Sequence, residues 1–198
     1  MSSNFNQFLK KGFHIEIDAP DLIGLNRTII NNLDEKSPKE ISKSLFEWVR
    51  DNIRYRIVEI IGPTATIKRG TGACVDKSSL LITLLRMNKI PAKYLIIRAI
   101  FSKKLPIKIS YVDHCAVEAY INNRWIILDP TFDPFFDNIF PKSEFGNPNW
   151  WDLKKSIIHG RVAFFTPLEI RLISDCYKNP TEWKLFINKI LKNSKISI

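Results

Sequence analysis

The pair Asn122-Asn123 constrains the fold more than any other feature, because it separates two apolar, β-branched runs. A two-residue hairpin turn needs positive φ at both positions, and Asn tolerates it. The flanking runs are His114 to Ile121 and Arg124 to Asp129. With the two asparagines as the turn, Ile121 faces Arg124 and paired positions sum to 245. His114 then faces Thr131, and Ala116 faces Asp129. Paired residues share a sheet face, and so do alternate residues along a strand. His114 and Asp129 are therefore diagonal neighbours on one face, with Cα atoms roughly 7–8 Å apart. An imidazole and a carboxylate bridge that gap with a hydrogen bond. A one-residue slip would put them on opposite faces.

Cys74 supplies a third group. It stands in Gly70-Thr71-Gly72-Ala73-Cys74-Val75-Asp76, where a loop over residues 62–73 gives way to a helix from about Cys74 to Asn88. Leu80, Leu81, Leu84 and Leu85 give that helix a broad apolar stripe, and Lys89-Ile90-Pro91 ends it. In the first turn, unpaired N–H groups and the helix dipole favour an anion. Beside a protonated imidazole, a thiol there has its pKa lowered. The same N–H groups can receive the oxyanion of a tetrahedral intermediate. Gly70 and Gly72 suit a close approach of substrate backbone. Taken alone, Cys74 is a core residue; with His114 and Asp129 on one face, it becomes a nucleophile with its base and orienting carboxylate.

Elsewhere, Phe13 to Ile17 reads as a strand, and Ser37-Pro38-Lys39-Glu40 opens a helix that runs to about Asn52. Tyr55 to Val58 reads as extended and Tyr94 to Phe101 as a central strand. Residues 130–165 read as irregular structure beside the sheet. Helices follow from about Pro167 to Tyr177 and from Pro180. Cys115 and Cys176 read as buried small apolar residues. Asp76 completes the first helical turn or orients a loop, and Asp113 and Glu118 read as surface or network groups. Trp48, Tyr55, Trp125, Trp150 and Trp151 read as core, with Trp150-Trp151 also suited to line a groove.

Composition narrows the classes. Three cysteines without a C-x-x-C pair exclude a structural zinc site of cysteine pairs and disfavour a disulfide framework. The net charge of +10 suits an acidic partner, but the basic residues are scattered and no nucleic-acid motif appears. No run approaches the ~20 apolar residues of a membrane span, and the N-terminus lacks a signal-peptide pattern. The expectation is a reducing, cytoplasmic setting, with no membrane and no specific nucleic acid as partner. No sequence feature speaks to oligomeric state.

Four segments together resemble the transglutaminase-like superfamily: Gly72 to Asp76, Leu85 to Tyr94, Asp113 to Glu118, and Asn123 to Thr131. Phe46 to Tyr55 is similar to that family's preceding helix. The resemblance covers roughly residues 40–135. It implies an α+β, papain-like core in which a Cys-bearing helix packs on an antiparallel sheet carrying His and Asp. By motif position Cys74 is the nucleophile, His114 the general base and acid, and Asp129 the orienting carboxylate. The family includes cross-linking enzymes, cysteine peptidases, glycan-releasing amidases and inactive relatives. Many members carry an aromatic residue two positions after the His, where this chain has Ala116, which implies a wider pocket beside His114. The step Arg69-Gly70 is also similar to arylamine acetyltransferases, which the segment Trp125 to Thr131 fits poorly.

The expectation is one domain over residues 1–198, with a C-terminal helical extension from about 165. Its function is acyl transfer from amide bonds of a protein or peptide through a Cys74 thioester, without cofactor or metal. Hydrolysis by a cysteine peptidase or amidase is the first reading, because no acyl-acceptor module is visible. Amine transfer to glutamine is the second, and a silent scaffold of the same fold is the third.

Overall fold

The computed structural model describes residues 5–34, 36–102, 111–136 and 140–176. In chain order the elements are α1 (Pro20–Asn31), α2 (Pro38–Asn52), β1 (Arg54–Tyr55), α3 (Pro63–Arg69), β2 (Thr71–Gly72), α4 (Cys74–Met87), β3 (Ala92–Ile100), β4 (Tyr111–Ile121), β5 (Arg124–Leu128), β6 (Ile157–Val162) and α5 (Pro167–Cys176). Strands β3 to β6 form one antiparallel sheet in the order β5-β4-β3-β6. This is the α+β, papain-like core.

Helix α4 is buried on every side, from Cys74 through Arg86. Such a helix must find partners for its polar side chains inside the protein. Ser78 Oγ donates to the Cys115 carbonyl at 3.1 Å, and Ser79 Oγ meets the Tyr94 hydroxyl at 2.8 Å. Arg86 donates to the carbonyls of Lys10, Ala92 and Ala163, each at 2.7 Å. Lys77 Nζ donates to the carbonyls of Arg50 at 3.1 Å and of Ile53. These bonds tie α4 to the end of α2, to β3, to β4 and to the carbonyls of Lys10 and Ala163.

The two sheet faces pack differently. Tyr94, Ile96, Cys115, Val117 and Ala119 join the core built on α4, with Leu45, Phe46 and Val49 of α2. Leu95, Ile97, Ala99 and Ala116 join Phe132, Trp150 and Trp151 in a second, aromatic cluster. Burying each of these large side chains contributes about 1.5–3 kcal/mol. Helix α2 starts as its sequence implies: Ser37 Oγ accepts the Glu40 N–H at 3.3 Å, and Pro38 takes the first turn.

Three local expectations are corrected, and one helix was not foreseen. Phe13 to Ile17 is a turn closed by the Gly12–Ile15 bridge, with His14 at φ 58°, so the run of apolar residues there marks anchoring at Ile15. Residues before 36 hold helix α1, which opens at Pro20 without a side-chain cap. The loop of residues 62–73 contains α3, a two-turn helix begun by Pro63 and ended by Gly70 in the left-handed conformation at φ 66°. Residues 130–165 contain β6, whose pairing with β3 shifts register between Ile96 and Ile97. The helix expected from Pro180 and the side chain of Cys176 lie outside the described residues.

Candidate active site

The approach to Cys74 is held by a short parallel pair, Arg54 with Thr71 and Tyr55 with Gly72. Ala73 is the extended N-cap residue of α4, and Cys74 is its first helical residue. The Asp76 carboxylate accepts the Ala73 N–H at 3.0 Å and the Ile61 N–H at 3.0 Å, and Arg69 lies 3.4 Å away. Burial raises the Asp76 pKa against those bonds. A Cβ on Gly72 would lie 2.7 Å from Asp76 Cβ. Gly72 therefore serves the closure of this cap, and Gly70 the end of α3.

His114 lies in β4, opposite Ile97 of β3. The β4–β5 pairs run from Ile121 with Arg124 to Val117 with Leu128, the register that sums to 245. Asn122 and Asn123 form the turn at φ 50° and 62°. Just past β5, Asp129 Oδ2 accepts from His114 Nε2 at 3.0 Å. The imidazole also hydrogen-bonds the Cys74 side chain. With Nε2 engaged by Asp129, Nδ1 is the nitrogen left for the sulfur. The structure thus brings Cys74, His114 and Asp129 together, at 6%, 3% and 1% exposure.

Burial disfavours a charged imidazole, yet the Asp129 charge and hydrogen bonds to Asp129 and Cys74 prevail and push the His114 pKa up to about 10. Burial likewise opposes a charged Asp129, but His114, Thr131 and Trp151 hold its pKa below the ordinary value. The site therefore favours an imidazolium facing a carboxylate. Cys115, on the other sheet face, is 1% exposed, and burial holds its thiol well above the ordinary range.

Sequence reasoning left three contributors unassigned. Trp150 Nε1 and Trp151 Nε1 both donate to Asp129 Oδ2 at 2.8 Å. Two adjacent buried indoles each need an acceptor, and a buried carboxylate needs donors. That complementarity was the available signal. Tyr55, half-buried, has its ring against Phe132 at 5.2 Å between centroids, and its hydroxyl pKa is raised by burial and by the charges of Cys74 and Asp129. Ala116 is fully buried in the cluster with Trp150 and Trp151, so a small residue there makes room for the indoles.

Asp113 and Glu118 form networks away from these groups. Asp113 pairs with Arg98 at 3.1 Å, and Glu118 with Lys93 at 3.2 Å and Arg161 at 2.8 Å. Two clefts of about 510 and 720 Å³ are lined by none of Cys74, His114 and Asp129. Among the described residues, no helix is long and apolar enough to cross a membrane.

The family profile described as Transglutaminase-like superfamily matches residues 25–130, more than half of the chain. The chain belongs to the transglutaminase-like superfamily. No curated protein matches it in sequence. Among solved structures, a candidate cysteine protease from Cytophaga hutchinsonii aligns at a TM-score of 0.61 and 21% identity, over 82% of this chain and 48% of that one. A candidate protease from Parabacteroides distasonis aligns at 0.45 and 11%, over 63% and 25%. Red sea bream transglutaminase aligns at 0.40 and 15%, over 68% and 29%. This superfamily member spans about half the length of the Cytophaga chain, and that likeness is one of fold.

Proposed function

We propose that the protein is a thiol-dependent acyl-transfer enzyme acting on amide bonds of proteins or peptides, with hydrolysis as its reaction. The observation that carries this reading is His114, buried between the Cys74 side chain and the Asp129 carboxylate. In the proposed mechanism, the Cys74 thiolate attacks the amide carbonyl carbon. Charge on the carbonyl oxygen is met by backbone N–H groups in the first turn of α4. The His114 imidazolium gives its proton to the leaving amine, the C–N bond breaks and a thioester remains. His114, now neutral, takes a proton from water, whose oxygen attacks the thioester; the C–S bond breaks, the acid is released and the Cys74 thiolate again faces the His114 imidazolium. Asp129 stays ionised and keeps Nε2 protonated, so that Nδ1 does the proton transfer.

The test incubates the protein with a peptide library and, separately, with a glutamine-containing protein and a fluorescent primary amine. Peptide or side-chain amide cleavage that is lost in Cys74→Ser supports the reading. Amine incorporation without cleavage overturns the choice of hydrolysis, and neither product overturns the enzyme reading.

A further inference from the structure

We propose that Trp150 and Trp151 are positioning residues that hold the Asp129 carboxylate in line with His114. The inference rests on the acyl-transfer reading for its functional meaning and on geometry for its physical content. One oxygen, Asp129 Oδ2, receives three N–H donors: His114 Nε2 at 3.0 Å and the two indoles at 2.8 Å. The other oxygen accepts the Thr131 N–H at 3.1 Å. A carboxylate with both oxygens so engaged cannot turn without leaving buried donors unpaired, which fixes its orientation towards the imidazole.

The indoles are themselves fixed. Trp150 and Trp151 are 1% and 3% exposed. Their backbone is pinned to the end of β3: Ser102 N–H donates to the Trp150 carbonyl at 3.1 Å, and Asp152 N–H to the Ile100 carbonyl at 2.8 Å. Phe101 bridges to Trp151 across this join. The Trp150 ring stands edge-on to the His114 ring, with centroids 4.9 Å apart at 77°, and so covers the pair from water. Ala116, one pleat from His114 in β4, leaves the room that this cover occupies. Side chains from β4 and from the segment before β6 thus converge on one oxygen of a carboxylate carried just past β5. The indoles make no proton transfer; they act through Asp129.

Without the indoles, Asp129 is free to turn and to be hydrated, and its hold on the imidazole weakens. The test is an NMR titration of the His114 ring in the full chain, comparing wild type with Trp150→Phe, Trp151→Phe and the double variant. Phe132→Leu, in the same aromatic cluster but without a donor, serves as the packing control. The expected result is a His114 midpoint lowered by about one pH unit in each single variant and by more in the double. Phe132→Leu should lower the melting temperature without that shift. An unchanged midpoint, a midpoint that rises, or an equal shift in Phe132→Leu overturns the proposal. A second readout needs no indole variant: in Asp129→Asn, both Trp indole N–H resonances should move, and resonances that stay put overturn it. If these shifts occur while Cys74 proves unreactive, the indole clamp stands and the acyl-transfer reading falls.

Discussion

Asp129→Asn isolates the charge that sets the state of His114. The variant keeps the shape and an acceptor oxygen for the indoles, but removes the negative charge. Burial alone lowers the pKa of an imidazole, and the Asp129 charge and the hydrogen bonds to Asp129 and Cys74 raise it to about 10 against an ordinary 6.5. Without the carboxylate, burial prevails and the midpoint should fall below 6.5. That drop exceeds three units, or about 4 kcal/mol of coupling at ~1.4 kcal/mol per unit. The assay is an NMR titration of the three histidines in a Cys74→Ser background, so that no thiol titrates beside His114, with His114→Gln to assign its signal. Stability gives an independent check. A pKa raised by folding contributes stability that is present in full below about 6.5 and is lost as pH rises through about 10. The melting-temperature gap between the parent and Asp129→Asn should therefore narrow as pH rises across that window. A His114 midpoint within one unit of the parent value, or a gap that widens, refutes the reasoning.

Two further outcomes are expected. Lys77, buried under the α2 C-terminus, has its pKa lowered to about 7, chiefly by burial, with Asp133, Asp129 and Asp51 pulling the other way. The folded state then binds fewer protons than the unfolded between about 7 and 10.5, so this group's contribution to stability rises with pH over that window. The wild type should gain thermal stability relative to Lys77→Met as pH goes from 7 to 10, and a falling difference contradicts the burial of its charge. Gly72→Ala places a methyl 2.7 Å from Asp76 Cβ and must shift the start of α4. The cost should be about 1–3 kcal/mol, seen as a lowered midpoint in urea unfolding, and an unaltered midpoint contradicts the close packing.

The sheet hairpin was legible because its information is local. Two asparagines at positive φ fix the turn, the turn fixes the register, and the register places His114 beside Asp129. Helix α4 was legible for the same reason, through its leucines and the break at Lys89-Ile90-Pro91. Helix α3 was hidden because Gly62, Pro63 and Gly70 are loop signals that here stand at its two ends. Strand β6 was hidden because its pairing with β3 is long-range and its run, Ile157 to Val162, is interrupted by His159 and Gly160. The indole contacts were hidden for a further reason. They join residues 150 and 151 to residue 129 across a segment with no periodic pattern, and only the packing of the second cluster brings them there.

The measurement that bears most directly on the site is the pH dependence of Cys74 alkylation by iodoacetamide, with mass spectrometry to separate Cys74 from Cys115 and Cys176. A free thiol of pKa about 8.5 is less than ~1% thiolate at pH 6. If Cys74 is paired with the His114 imidazolium, it should be labelled at pH 6 many times faster than such a thiol, and His114→Ala should abolish the advantage. Labelling of Cys74 no faster than a free thiol at pH 6 and at neutral pH would contradict the reading of Cys74 as an activated nucleophile.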